Sequence, residues 1–163
     1  LFMMDAHAQD EHRWLQQLLG AWTSTSTCNM GTDQPAEQSS GTEHVRALGE
    51  LWIVCEGTTA MPDGGPARML MTLGYDPAQG AFVGTWAGSM MAHMFVYRGS
   101  LDAARRVLTL ETEGPSCAGD GGTARYRDVI TLLGENERTL TSFALQADGS
   151  WAQFMQATYL RKA

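Results

Sequence analysis

The sequence predicts an all-β protein: a single antiparallel up-and-down β-barrel of about ten strands, with one short N-terminal helix capping an end. Three observations support it. After residue 20 the apolar residues follow a period of two. Turn-forming residues recur at short intervals, so each strand has a sequence-local partner and no long crossover is needed. Only one stretch has a helical period. Closing the sheet removes the edges that so many Thr- and Val-bearing strands would expose, and a closed barrel has an interior.

The helix is expected over residues 9–20. Trp14, Leu15, Leu18 and Leu19 fall on one face, Asp10 and Glu11 suit the N-terminal end, and Gly20 ends it. Strands are expected at 21–28, 42–48, 51–59, 68–75, 81–87, 94–100, 105–113, 123–133, 140–146 and 151–160. The polar segment 29–40, with Gly31 and Pro35, reads as a loop, as does 114–122. Gly49-Glu50 is a two-residue hairpin signal, and Pro62-Asp63-Gly64-Gly65-Pro66 is a turn by composition. The turns at 76–80, 101–104 and 147–150 look alike because each solves the same problem. The domain organisation expected is one barrel domain over 1–163: a flexible leader at 1–8, the helix at 9–20 and the barrel at 21–161.

The chain has 163 residues, 44% hydrophobic and 18% charged, which suits one globular domain with a sizeable core. Its formal net charge is −7, and its 11 Lys and Arg residues are dispersed. Nucleic acid and anionic membrane surfaces are therefore poor partners. No apolar run approaches the roughly 20 residues that span a bilayer, and the start lacks the basic and apolar regions of a signal peptide. Cys28, Cys55 and Cys117 are odd in number, with no zinc spacing. Reduced cysteines in a cytoplasmic protein are the expectation.

Gly20-Ala21-Trp22 after a short helix, with Arg161 in the final strand, resembles the calycin group, the lipocalins and fatty-acid-binding proteins. The resemblance implies that Trp22 packs across the barrel end beneath Arg161, as structural floor rather than ligand contact. A closer likeness spans nearly the whole chain. Its segments include Glu11-His12-Arg13-Trp14-Leu15, Leu19-Gly20-Ala21-Trp22, Thr72-Leu73-Gly74-Tyr75-Asp76-Pro77, Val83-Gly84-Thr85-Trp86, Tyr97-Arg98-Gly99-Ser100, Tyr126-Arg127-Asp128 and Asp148-Gly149-Ser150-Trp151. These are similar to a bacterial domain family of unknown function, number 1579 (DUF1579). Membership implies a lipocalin-like barrel and transfers no catalytic residues.

Ten methionines are a compositional oddity. Flexible thioethers suit a lumen that adapts to a hydrophobic guest, though they also fill cores. Met69 and Met71 share a face that Tyr75 continues, and Trp86, Met94 and Tyr97 lie on neighbouring strands. These, with Glu111 and Arg127, are the candidate lumen residues for a small, mostly hydrophobic ligand. Arg127 or Arg46, if inward, suits a ligand carboxylate. An Arg facing Glu111 is equally a structural ion pair, and each polar strand residue can instead face solvent.

Two alternatives use the same lumen. One is an isomerase- or cyclase-type enzyme with a carboxylate and a tyrosine drawn from Glu56, Tyr97, Tyr126 and Asp128. The other is haem held by His93. A third reading is a filled barrel acting through its surface, with a homodimer as one form of it. No catalytic motif, metal site or cofactor is expected from the residues.

Overall fold

A computed structural model describes residues 6–29, 35–61 and 63–163. Helix α1 (Asp10–Gln16) is followed by ten strands: β1 (Gly20–Cys28), β2 (Glu37–Leu48), β3 (Trp52–Ala60), β4 (Pro66–Asp76), β5 (Ala81–Gly88), β6 (Phe95–Leu101), β7 (Val107–Pro115), β8 (Thr123–Leu132), β9 (Glu137–Leu145) and β10 (Trp151–Arg161). Each pairs antiparallel with its sequence neighbour, and β1 pairs with β10 from Trp22↔Arg161 to Cys28↔Met155, which closes the barrel. The all-β barrel with one short helix is therefore the observed fold. Residues 1–5 of the expected leader, 30–34 of the first loop and Pro62 of the second turn lie outside the described residues.

Three hairpins share a device. Asp76 Oδ1 accepts from the Ala78 N–H (2.9 Å), and Asp148 Oδ1 accepts from the Ser150 N–H (2.9 Å). Asp102 Oδ1 accepts from both the Arg106 and Val107 N–H groups (2.8 and 2.9 Å). A short carboxylate at the start of a tight turn satisfies donors that no ladder reaches.

One end of the barrel is sealed. Trp14, Leu15 and Leu18 of the helical segment are buried against Trp22, Val45, Ile53, Leu73, Phe82, Leu108, Leu110 and Ile130. The plug is pinned by polar bonds. Trp14 Nε1–H donates to the Arg105 carbonyl (2.7 Å), and Trp22 Nε1–H donates to the Leu18 carbonyl (2.9 Å). His12 is buried; its Nδ1 accepts from the Gln9 N–H (2.9 Å), which leaves Nε2–H to donate to the Tyr75 carbonyl (3.0 Å). Arg161 caps the plug: it donates to the carbonyls of Leu19, Gln17 (2.9 Å) and Glu135 (3.1 Å), with its guanidinium 4.2 Å from the Trp22 ring.

Some strand boundaries differ from expectation. β2 begins at Glu37, inside the segment read as loop, because its inward residues there are small and polar rather than apolar. β7 begins at Val107 because Arg105 adopts φ 58, a left-handed conformation that belongs to a turn. β9 begins at Glu137, which brings Arg138 into the sheet.

Candidate functional site

Strand register decides which side chains face inward. Cys55↔Met71↔Trp86↔Phe95 runs across β3 to β6 on the inner face, and Leu110↔Asp128↔Ser142↔Met155 runs across β7 to β10. Towards the helix these rows are large and close-packed. Towards the other end the β1 to β3 wall carries Ser24, Ser26, Gly57 and Thr59, which are too small to meet the opposite wall. The result is a cavity of about 470 Å³, a volume that suits a small organic molecule. Its apolar wall includes Met69, Met71, Trp86, Phe95, Tyr97, Tyr126, Phe154 and Met155. A β-bulge between Gln153 and Met155 turns both Phe154 and Met155 towards it.

A buried polar cluster sits in this wall. Asp128 accepts from the Ser142 hydroxyl at Oδ1 (2.6 Å) and from the Tyr97 phenol at Oδ2. Burial pushes the Asp128 carboxyl above its ordinary range, and the two hydroxyl donors oppose that. Burial, then the Asp128 charge, pushes the Tyr97 phenol well upward. Thr112 lines the same space; its hydroxyl is buried and has no protein partner. Tyr126 donates to the Pro115 carbonyl (2.6 Å) with Cys117 Sγ 3.3 Å from its oxygen, and burial leads in raising its phenol to about 12.

A second cluster lies deeper. Arg138 is paired with Glu43, and their side chains are 4% and 16% exposed. The guanidinium lies 4.0 Å from the Tyr159 ring centre and 4.6 Å from that of Trp22. Trp22 is thus flanked by two guanidiniums, those of Arg138 and Arg161. Glu43, Cys55 and Tyr159 reach the cavity, and burial leads in raising both the Cys55 thiol and the Tyr159 phenol.

Of the eight lumen candidates, Met69, Met71, Trp86 and Tyr97 line the cavity. The other four lie elsewhere. Tyr75 faces inward at the sealed end, where its ring packs edge-on against Phe82 (5.1 Å) and His12 (5.7 Å). Met94 precedes β6 and is 56% exposed. Glu111 alternates with inward Leu110 and Thr112, so it faces out and bonds Arg127 Nε (2.9 Å), which lies 4.0 Å from the Trp151 ring centre. Arg46 likewise faces out and pairs with Glu56 (2.9 Å). His93 packs edge-on against Phe95 (4.7 Å) outside the cavity lining, and no His lines the cavity among the described residues.

Ser142, Thr112 and Glu43 line the cavity, and Arg138 pairs with Glu43, yet none of the four stood out in the sequence. Parity held the signal: Ser142 alternates with Leu140 on β9, and Glu43 with Val45 on β2.

Comparison with known proteins came to the same architecture. None of the curated proteins matches. Among solved structures, "Rv2717c from M. tuberculosis" is similar at TM-score 0.65 and 15% identity, covering 96% of this chain and 100% of that one. The "S-type Phycobiliprotein Lyase CPES from Guillardia theta" is similar at TM-score 0.63 and 11% identity, covering 96% and 99%. A β-barrel, "EF1p2_mFAP2b bound to DFHBI", is similar at TM-score 0.50 and 15% identity, covering 94% and 100%. At such identities the likeness is one of fold. The sequence match is more specific, extends over residues 7–161, and places this chain in the DUF1579 family, described as proteins of unknown function.

Proposed function

We propose that this chain binds a small, largely apolar molecule in its barrel lumen, with Met69, Met71, Trp86 and Tyr97 among the contacts. The single observation that carries this is the 470 Å³ space left beside a fully packed barrel end. A chain selected only for stability gains by filling such a space. Similar barrels extend the support: one structure is titled as bound to DFHBI, and another is titled a phycobiliprotein lyase. The test is titration with Nile red, a neutral hydrophobic dye. The unmodified protein is expected to bind one equivalent, and Leu140→Trp, which fills the lumen, is expected to weaken binding at least about tenfold without lowering the melting temperature. Equal binding by both proteins would place the dye on the surface and sink the reading.

A second reading has its own observation. Asp128 is a partly buried carboxylate beside Tyr97 that lines open space, the arrangement an isomerase- or cyclase-type proton transfer needs. It is tested by deuterium exchange at the carbons flanking the carbonyl of cyclohexanone. Exchange above the buffer rate that vanishes in Asp128→Asn supports catalysis; a rate equal to buffer removes it.

The cytoplasmic placement and a homodimer also stand as proposals. Free Cys28, Cys55 and Cys117 fit a reducing compartment, and exposed Leu70, Met94 and Val96 offer apolar surface to a second copy. No helix among the described residues is long and apolar enough to cross a membrane.

A further inference from the structure

Ligand charge is the property of the guest on which the cavity wall is most informative. Among the described residues the lining contains two carboxylates, Asp128 and Glu43, and no Lys, Arg or His. Each arginine that a ligand carboxylate would need is committed elsewhere. Arg127 and Arg46 face outward on Glu111 and Glu56. Arg138 is inside, but it is held by Glu43 and stacked on Tyr159. A fatty-acid anion entering this lumen would lose water and find no cation.

Asp128 is in the opposite position. Its two hydrogen bonds come from neutral hydroxyls, Tyr97 and Ser142, so no cation balances it. It is partly buried in the cavity wall, and a partly desolvated charge without a cation favours whatever supplies one. Thr112 adds an independent sign. It is 8% exposed, lines the cavity, and its hydroxyl oxygen lacks a partner. Native structures rarely leave such an atom idle, and here it faces a space that a ligand would occupy. The register sets Thr112 opposite Tyr126, one inward position along from the Leu110↔Asp128 pair. On adjacent strands that diagonal spacing is about 7–8 Å, which one bridging donor group can span. The surrounding rings of Trp86, Phe95, Tyr97 and Phe154 present faces that attract cations as well as apolar groups.

The geometry points to a hydrophobic amine as the preferred guest: its ammonium between Asp128 and Thr112, its hydrocarbon against the Met and aromatic wall. This rests on the lumen being a binding site, as proposed above. An ammonium brings three donors and no acceptor, which matches a carboxylate and a hydroxyl oxygen. Carboxylate guests are disfavoured by the same wall.

Calorimetric titration with decylamine, decanol and decanoate at pH 7.5 and 0.15 M salt tests it, since the three share a ten-carbon skeleton and carry a cationic, a neutral and an anionic head group. Decylamine is expected to bind about tenfold tighter than decanol, and decanoate weakest. Asp128→Asn is expected to bring the amine-to-alcohol ratio close to one. Because that variant can misfold, a crystal structure of the unmodified protein with decylamine is the second measurement, and nitrogen within hydrogen-bond distance of Asp128 is expected. Decanoate binding as tightly as decylamine, a ratio unchanged in Asp128→Asn, or the ammonium lying away from Asp128 would each overturn the assignment. If Nile red binds in the lumen but the amine shows no preference, only this inference falls. If neither Nile red nor any of the three binds, the lumen reading falls with it.

Discussion

Gly20 has φ +126, and a Cβ there would lie 2.6 Å from Arg161 Nη1, so two constraints meet on one hydrogen. Gly20→Ala is expected to destabilise by about 1–3 kcal/mol, read as a drop in melting temperature. Gly74 carries a similar constraint from the outside, since the Trp52 ring lies across it and a Cβ would sit 2.3 Å from Cε3. The Glu43–Arg138 pair is costly to break: Arg138→Met strands a mostly buried carboxylate and is expected to cost about 3 kcal/mol, with Glu43→Gln recovering part of it in the double variant. Asp128 links stability to pH. Its folded value lies above its ordinary 3.8, so the folded protein holds the proton more tightly. The stability it contributes is therefore fully present below pH 3.8 and is lost as pH rises through the raised value. Asp10, Asp76, Asp102 and Asp148 are shifted downward and act in the opposite sense, so comparison with Asp128→Asn isolates the effect. The stability of the unmodified protein relative to that variant is expected to fall with rising pH in denaturant melts; a constant difference would contradict the assignment.

At the scale of elements, the two ends of the barrel do different work. The plug of α1 and its following turn buries Trp14, Leu15 and Leu18, and Leu18→Ala is expected to cost about 2–5 kcal/mol while leaving Nile red affinity unchanged. A loss of affinity would mean that the plug shapes the lumen. This division also explains what was legible in the sequence. Strands with an apolar inner face, such as Leu108–Leu110 of β7 and Leu73 of β4, announce themselves by alternation. The start of β2 does not, because Ser39 and Gly41 face inward beside open space and carry no apolar signal. The weakness of that signal is itself a mark of the cavity wall. Met69, Met71, Trp86 and Tyr97 were legible as one lumen because pairing across a hairpin preserves the face. Tyr75 shares that face but belongs to the sealed end, and depth along a barrel is not encoded in parity. Glu111 and Arg127 kept two readings in the sequence, because an ion pair forms equally well on either side of a sheet; their places next in sequence to inward Leu110 and Asp128 put them outside.

As a whole molecule, this is a closed ten-stranded antiparallel barrel with one end packed to the centre and, among the described residues, a cavity towards the other, on a chain of net charge −7. Chemistry inside the open half is acidic and hydroxylic against a thioether and aromatic wall. That combination separates it from a barrel built around a carboxylate-binding arginine, and the difference could not be read before the facing of Arg46 and Arg127 was known. The central claim, that the open half holds a guest, is tested most directly by native mass spectrometry of the protein purified from its own cells. The expected spectrum contains a species heavier by one small molecule, which Leu140→Trp protein purified in the same way lacks. Repeated spectra showing only the bare chain, for a protein that also fails to take up Nile red, would contradict it.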